Sequence, residues 1–266
     1  MTPDGAASAD INSMMDVAPT VSAVLGLRVP AGARGKPLDP AVVTLAGAAR
    51  VALIVPDGLG LYAWGLWQRE MPFLKALRAE HGLTLSSVMP SITPVNFATM
   101  ITGADAAGHG VGSFRDDLAC ESLFDVVRAA GGKSAGIGLA GYTGSELLGR
   151  LADIWGRVDG GTDDDIAATI IEIVDGARPE FLIAQLGRVD DVFHQHGPSS
   201  PLVVPMLRDT DRRLGRLVEH LATSGYGVLI LADHGHHDVD EPSLDLKGTH
   251  GTACPEDCLV PCTWVR

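Results

Sequence analysis

The sequence predicts an α/β fold with a doubly wound, mainly parallel central sheet and helices on both faces. From about residue 50 onward, short apolar runs alternate with segments of helical periodicity. The apolar runs contain few polar residues, which is typical of strands buried on both faces of a sheet. A helical segment between successive strands is the connection that parallel strands require.

The elements follow one another along a single predicted domain, residues 1–266, whose catalytic core is residues 50–266. The predicted strands are residues 51–55, 134–139, 181–186, 228–232 and 259–265. Helices are predicted from about residue 59 to 80, for 122–130, around 166–173 and for 203–221, because their apolar residues recur at helical spacing. No internal repeat or low-complexity tract interrupts this alternation.

Composition excludes several classes of protein. The chain has 20 Lys and Arg residues and 33 Asp and Glu residues, which gives a net charge of −13. This charge disfavours a nucleic-acid polymer as partner but is compatible with a small anionic substrate. With 46% hydrophobic residues the chain is not disordered, and none of its apolar runs is long enough to predict a membrane span. Residues 1–10 lack the features of a signal peptide, so we expect a cytoplasmic protein.

Metal-ligating side chains follow the ends of the predicted strands. They are Asp57, Asp190, His194, Asp233, His234 and His250. The carboxyl ends of parallel strands lie at one edge of a sheet, where α/β proteins carry their sites. A spacing of four places Asp190 and His194 on one helical face. Oxygen and imidazole donors suit zinc or manganese, so the sequence predicts a metal site.

Five ordered motifs from about residue 50 onward resemble those of the alkaline phosphatase superfamily, closest to its nucleotide pyrophosphatase/phosphodiesterase branch. These motifs are Asp57-Gly58, Pro90-Ser-Ile-Thr93-Pro-Val-Asn96, Asp190-Asp-Val-Phe-His194-Gln-His-Gly-Pro198, Asp233-His-Gly235 and Thr249-His-Gly251. The resemblance implies an alkaline phosphatase-like fold and two metal ions, most often zinc. It implies one ion on Asp190, His194 and His250, and another on Asp57, Asp233, His234 and the Thr93 oxygen.

The same resemblance implies that Thr93 is the nucleophile and forms a covalent phosphothreonine. Because Pro94 suits a first helical position, we expect Thr93 to cap a helix as well. A helix N-terminus also stabilises an alkoxide and an incoming phosphoryl group. The diesterase branch has Asn at the position of Phe114, so Asn96 is the expected hydrogen-bond donor instead.

Three cations near the motifs, Arg115, Arg188 and Lys247, are candidate substrate-binding residues. The predicted reaction is hydrolysis of a phosphodiester or nucleotide-type pyrophosphate. A monoester or phosphonate hydrolase and a metal-dependent phosphomutase are the alternatives within this chemistry, and a metal-stabilised binding module is the alternative outside it. The loops are too short for a large cap domain, so we expect an open site that a second copy of the chain could complete.

Two further features give weaker expectations. Residues 16–40 resemble the segment that usually closes chains of this superfamily, which predicts a circular permutation with a helix over residues 16–27 near the last strand; a chance match is the other interpretation. His196, His236 and His237 flank ligand motifs, and we expect them to be partly solvated loop residues; the alternative is that they support the metal ligands or bind substrate.

Overall fold

The central sheet of the computed structural model, which describes residues 12–241 and 246–266, draws strands from both ends of that range. Its β-strands are β1 Asn12–Ser13, β2 Arg50–Pro56, β3 Gly82–Ser86, β4 Ser134–Leu139, β5 Ile154–Val158, β6 Phe181–Leu186, β7 Tyr226–Leu231, β8 His237–Asp238, β9 Gly248–Thr249 and β10 Leu259–Val265. All but β8 and β9, which pair with each other, form one eight-stranded sheet.

Helices fill most of the intervals between these strands. They are α1 Val17–Leu25, α2 Asp39–Leu45, α3 Leu61–Trp67, α4 Pro72–Glu80, α5 Thr93–Thr102, α6 Ala106–His109, α7 Leu123–Ala129, α8 Asp163–Gly176, α9 Arg188–His196, α10 Val204–Thr223 and α11 Pro255–Cys258. Short 3₁₀ or π-helical segments are Met14–Asp16, Gln68–Glu70, Gly144–Gly149 and Pro201–Val203.

The sheet is mainly parallel. Its strand order is β1-β3-β10-β7-β2-β6-β4-β5, and β10 alone runs antiparallel to both of its neighbours. β2 is central, with Leu53 paired to Ile183 of β6 on one side and to Leu229 of β7 on the other. β6 and β7 are buried along their whole length, as the apolar runs in the sequence predict.

Helices cover both faces of the sheet, which confirms the predicted α/β fold class. α8 and α10 pack against each other, and α10 also packs against α4. The other group contains α1, α5 and α7, with α5 contacting both of its neighbours. Apolar side chains from both groups and from the strands form the hydrophobic core.

Some elements differ from those predicted. β1, β3 and β5 were not expected, because they are short and partly exposed and lack a continuous apolar run. The helix predicted to end near residue 80 is divided into α3, a 3₁₀ turn and α4, since Pro72 cannot continue the preceding helix. α4 has no side-chain cap of its own; instead, the Asp211 carboxylate on α10 accepts from the backbone N–H groups of Phe73 (3.0 Å) and Leu74 (2.9 Å).

The predicted N-terminal helix is present as α1. α1 packs on α2, α5 and β2, and α2 in turn packs on β10, as α3 and α4 also do. The circular permutation and the single catalytic domain stay predictions. Residues 1–10, from which we predicted the cellular location, lie outside the described residues. No helix of the described chain combines the length and apolar character needed to cross a membrane.

Candidate metal centre and nucleophile

Side chains from three neighbouring parallel strands meet at the carboxyl edge of the sheet. Asp57 directly follows β2, and Asp233 and His234 come just after β7. β6 is followed by α9, which carries Asp190 and His194. The sheet therefore brings together most of the predicted metal ligands, as expected for the edge at which parallel strands end.

Asp57, Asp233 and His234 form a first group, completely enclosed by the protein. His234 Nε2 lies 3.4 Å from Asp57 Oδ1 and 3.3 Å from Asp233 Oδ2. The second oxygen of each carboxylate is held in place, because Asp57 Oδ2 accepts from the side-chain amide of Gln185 and Asp233 Oδ1 accepts from Gly58 N–H. Each carboxylate thus keeps one oxygen directed towards the histidine.

The hydroxyl of Thr93 joins this first group, with Oγ1 3.0 Å from His234 Nε2. The expected capping role is wrong, because α5 begins at Thr93 and the N-cap residue is Ile92, which makes no side-chain cap. Pro94 is then the second helical residue rather than the first. The Thr93 hydroxyl is consequently not used to cap the helix and lies beside the histidine at the N-terminus of α5.

Asp190, His194, His250 and His236 form a second group, whose ligand atoms all lie within 4.8 Å of one another. Asp190 Oδ2 is 3.5 Å from His194 Nε2, and Asp190 Oδ1 is 3.6 Å from His250 Nε2. Asp190 and His194 share one face of α9, as their spacing predicts. His236 was expected in a solvated loop, but it is 1% exposed and belongs to this group.

Three of the histidines are oriented in the same way. The Nδ1 atoms of His194, His234 and His250 lie 2.9–3.1 Å from the backbone carbonyl oxygens of Gly248, Gly235 and Ser91, respectively. A carbonyl oxygen can only accept, so each Nδ1 carries the proton and each Nε2 presents a lone pair to the group. Metal-ligating histidines typically bind the metal through one ring nitrogen and donate a hydrogen bond from the other, often to a backbone carbonyl.

The electrostatics of both groups fit divalent cations. Burial first, and then the neighbouring Asp233 and Asp190, raise the pKa of Asp57 well above its usual value, while burial raises the pKa of Asp233 to about 6. Burial also lowers the pKa of His234 and of His250 to about 4, so both imidazoles are neutral at pH 7, as metal ligands must be. A cation would relieve the repulsion among these carboxylates.

Unpartnered atoms support the same conclusion. Within the part of the chain that the structure describes, Asp57 Oδ1, Asp190 Oδ1 and Asp233 Oδ2 are buried without a hydrogen-bond partner. A buried carboxylate oxygen is nearly always hydrogen-bonded, paired with a positive charge or bound to a metal. The three oxygens named here have no hydrogen-bond partner, so a metal is the remaining partner that suits them. The donor set therefore fits the metal ions that the sequence predicts.

Asn96 does not face the site in the way expected from the sequence. It is completely buried, and its Oδ1 accepts from Val88 N–H at 2.7 Å. Its Nδ2 donates to the carbonyl groups of Val88 and Ile92. The amide is thus committed to the backbone between β3 and α5, where it positions the segment that leads to Thr93.

The three candidate cations are placed differently. Arg188 is two residues from Asp190, on the opposite face of α9, and lines a surface cleft with Asp163 and Arg213 instead. The backbone N–H of Lys247 donates to the carbonyl of His194, so Lys247 anchors the loop before His250. Arg115 is exposed in a separate cleft of about 640 Å³, described below.

Gln185 is a site residue that the sequence did not reveal. Gln185 is 2% exposed, accepts from Gly144 N–H at 2.5 Å and donates to Asp57. Its signal in the sequence is a single amide near the end of the otherwise apolar run 181–186. The burial of this amide in β6 is explained by its hydrogen bond to Asp57, the predicted ligand at the end of the neighbouring strand β2.

A parallel α/β sheet whose strand ends gather carboxylates and imidazoles around a hydroxyl has the architecture of the metal-dependent hydrolases. Comparison with known sequences defines the family. The family model described as type I phosphodiesterase/nucleotide pyrophosphatase matches residues 51–131 and 135–254, so this chain belongs to that family of phosphoric ester hydrolases.

Individual relatives are distant. Human ectonucleotide pyrophosphatase/phosphodiesterase family member 5 is 26% identical over 200 residues, covering 62% of this chain and 40% of the relative. Venom phosphodiesterase CdcPDE of Crotalus durissus collilineatus is 24% identical over 213 residues, covering 69% of this chain and 26% of the relative. The chain thus spans less than half the length of these two proteins.

Solved structures show the same fold. Human ectonucleotide pyrophosphatase/phosphodiesterase 5 superposes with a TM-score of 0.64 at 16% identity, covering 81% of this chain and 87% of that one. Phosphonoacetate hydrolase from Sinorhizobium meliloti 1021 has a TM-score of 0.58 at 18% identity, covering 73% of this chain and 58% of that one. A murine ectonucleotide pyrophosphatase/phosphodiesterase 5, inactive and in complex with AMP, covers 72% of this chain and 58% of its own, with a TM-score of 0.59 at 20% identity.

Proposed function

We propose that this chain hydrolyses a phosphodiester or nucleotide-type pyrophosphate with Thr93 as the nucleophile and two divalent metal ions, zinc being the expected metal and manganese the alternative. One observation carries the proposal: the Thr93 hydroxyl lies 3.0 Å from His234 Nε2, in a buried group where one oxygen of each carboxylate has no hydrogen-bond partner among the described residues. Family membership supports the hydrolytic chemistry.

The two groups would each hold one ion. Asp57, Asp233, His234 and Thr93 Oγ1 would hold the first, and Asp190, His194 and His250 the second. Bound ions of this kind lower the pKa of a coordinated hydroxyl or water and neutralise charge on the transferring phosphoryl group.

The residues of this chain then carry out two displacements. Thr93 Oγ1 attacks phosphorus, its proton passes to solvent, and the bond from phosphorus to the leaving oxygen breaks. The leaving oxygen takes a proton from solvent, and the phosphoryl group stays on Thr93 as a phosphothreonine. Water then attacks the same phosphorus and loses a proton to solvent, while the bond to Thr93 Oγ1 breaks and Oγ1 regains its proton. The N-terminal N–H groups of α5 favour the negative charge that develops beside Thr93 in both steps.

The nucleoside part of the substrate has a candidate location in the separate cleft that contains Arg115. A cleft of about 640 Å³ is lined by Phe114, Arg115 and Gly141, the last of which follows the carboxyl end of β4. The next residue, Tyr142, donates to Asp191, the sequence neighbour of Asp190, at 2.9 Å. We propose that an aromatic ring and a cation at this position receive the nucleoside part of a nucleotide substrate. The murine structure in complex with AMP supports a small phosphorylated ligand.

The test is the turnover of an activated phosphate diester and of a monoester, side by side, on metal-free protein reconstituted with zinc or with manganese. We expect the diester to be preferred, Thr93→Ala to abolish turnover, and Thr93→Ser, which keeps a hydroxyl, to retain part of it. Matched Thr44→Ala on the exposed side of α2 should behave like the wild type. Full diester turnover by Thr93→Ala would refute the proposed nucleophile.

A phosphomonoesterase or phosphonate hydrolase is the second candidate. The apolar Phe114 at the position where diesterases carry an amide favours it, as does the exposed Arg115, whose guanidinium lies 5.5 Å from the Phe114 ring. Preference for the monoester in the same assay would identify this activity. Hydrolysis in ¹⁸O-labelled water distinguishes both hydrolases from a phosphomutase, because only a hydrolase places the label in released phosphate.

A further inference from the structure

We infer that His236 is a fourth protein ligand at the metal site formed by Asp190, His194 and His250. The inference rests on the proposed metal-dependent function and deepens it, because three protein ligands are the number that a catalytic zinc site ordinarily has. The contacts of His236 differ from those of a histidine that merely fills space in the core.

His236 lies among the proposed ligands of this site. Its Nε2 atom lies 3.1 Å from Asp190 Oδ1, closer than the Nε2 atom of His194 or His250 comes to either oxygen of that carboxylate. Its ring centroid lies 4.9 Å from that of His194 and 4.8 Å from that of His250. His236 is therefore at least as central to the group as the ligands predicted from the sequence.

The His236 ring is also oriented towards this group. His236 Nδ1 lies 3.4 Å from the carbonyl oxygen of Gly58, which can only accept a hydrogen bond, so Nδ1 carries the proton. Nε2 then presents its lone pair to the group, and within the described residues it is buried without a hydrogen-bond partner. The same arrangement of outer nitrogen and carbonyl orients His194 and His250. An unpartnered imidazole nitrogen beside an unpartnered Asp190 oxygen is explained by an ion between them.

The neighbouring residue His237 shows the contrast. Its Nδ1 lies 2.8 Å from Asp257 Oδ1, and the other oxygen of that carboxylate accepts from Thr252. These polar atoms are hydrogen-bonded to one another, although together with Cys254 they also lie close enough to hold a metal. His237 therefore stabilises the loop after His250, whereas His236 Nε2 is unpaired and points towards the ligands.

The backbone at Gly58 provides the space that the His236 ring occupies. Gly58 has a φ of +76°, and a Cβ atom there would lie 2.7 Å from His236 Cε1 and 2.9 Å from Nδ1. Any side chain at this position would displace the ring from Asp190. The glycine that follows the metal-ligating Asp57 thus admits the additional histidine.

A fourth protein ligand has a consequence for the site. With one carboxylate and three imidazoles, the protein alone completes four-coordination, so a substrate oxygen or water must enter as a fifth ligand. The additional imidazole also makes the ion harder to remove. We therefore expect metal at this site to be retained more tightly than metal at the site of Asp57, Asp233 and His234.

The test measures metal binding without turnover. Metal-free full-length protein is titrated with Co²⁺ and with Zn²⁺ against a chromophoric chelator, for the wild type, His236→Ala, His236→Cys and the surface control His220→Gln, whose imidazole pairs with Asp175 on the outside of α10. We expect His236→Ala to weaken one of two sites by on the order of 100-fold and to change the visible Co²⁺ spectrum, whereas the control leaves both unchanged. His236→Cys should add a thiolate-to-cobalt charge-transfer band beyond any that Cys254 gives in the wild type.

An independent readout uses the wild-type chain. In ¹⁵N NMR of the imidazoles, zinc should shift the Nε2 signals of four histidines: His194, His234, His236 and His250. The inference is overturned if zinc leaves the Nε2 signal of His236 unshifted. It is also overturned if His236→Ala binds metal with unchanged affinity and folded His236→Cys shows no added charge-transfer band. Two bound ions without phosphoester turnover would remove the proposed function and leave this inference intact, while a wild type that binds no ion would remove both.

Discussion

Gln185 provides the sharpest test of how the sheet supports the site. Its amide lies within β6, accepts from Gly144 N–H at 2.5 Å and donates to Asp57 Oδ2. In Gln185→Leu the volume is nearly conserved, but both partners lose their hydrogen bonds in a buried environment. Each unsatisfied buried group costs about 1–3 kcal/mol, so we expect the free energy of unfolding to fall by about 4 kcal/mol.

That loss leaves a folded protein, because domains of this size are stable by about 5–15 kcal/mol. A second effect should appear at the site, where Gln185 fixes the carboxylate of Asp57. Loss of such a support lowers metal affinity by about 10–100-fold. Urea unfolding of the metal-free protein measures the first effect, and zinc titration against a chelator measures the second.

The control is Gln68→Leu, the same substitution in the half-buried 3₁₀ turn before α4, which should change the free energy of unfolding by less than about 1 kcal/mol. If Gln185→Leu is as stable as this control and binds zinc as the wild type does, Gln185 does not support Asp57. The argument from its two hydrogen bonds would then be refuted.

Three further predictions follow. Burial, opposed by Arg213, raises the pKa of Asp163 to about 6, so the native protein binds this proton more tightly than the unfolded protein does. The free energy of unfolding of the wild type should therefore fall by up to about 3 kcal/mol between pH 4 and pH 6, whereas that of Asp163→Asn should not show this fall. Urea unfolding of both proteins at each pH measures the difference. Asp211→Ala removes the acceptor for the first turn of α4 and should lower the free energy of unfolding by about 2 kcal/mol; a loss below 0.5 kcal/mol would count against that capping role. Chelation of the metal should lower the Tm, because the charges of Asp57 and Asp233 then have no cation to neutralise them. Zinc at 100 times its Kd should raise the free energy of unfolding by about 2.7 kcal/mol for each site. An unchanged Tm on chelation would contradict both metal sites.

The buried strands and their polar ends could be predicted from the sequence because both signals are local. The run 181–186 is apolar apart from Gln185, and Asp190 and His194 share a helical face by spacing alone. The position of Arg188 on the opposite face of α9 could be predicted in the same way, since residues two apart on a helix point in nearly opposite directions. β3 and β5 could not be predicted, because edge and partly exposed strands depend on partners distant in the chain.

His236 and Asn96 show why the rest of the site was inaccessible to the sequence. Whether a histidine after Asp233-His234-Gly235 points into or away from the ligands depends on backbone dihedrals and on the empty space at Gly58. The amide of Asn96 lies three residues from Thr93, a spacing that suits a role in the site. Its side chain instead turns back to Val88, which is decided by the path of the loop before α5.

The place of β10 in the sheet determines the order in which the site can be completed. β3, which leads into the segment carrying Thr93, is hydrogen-bonded in the sheet only to β1 and β10 among the described strands. β10 lies late in the chain, so a growing polypeptide can align β2, β6 and β7, and with them Asp57, Asp190 and Asp233, before the strand that joins β3 to them has been synthesised. The strands that carry these carboxylates can therefore pair before β3, which joins the sheet of the described strands only when β10 enters between β3 and β7.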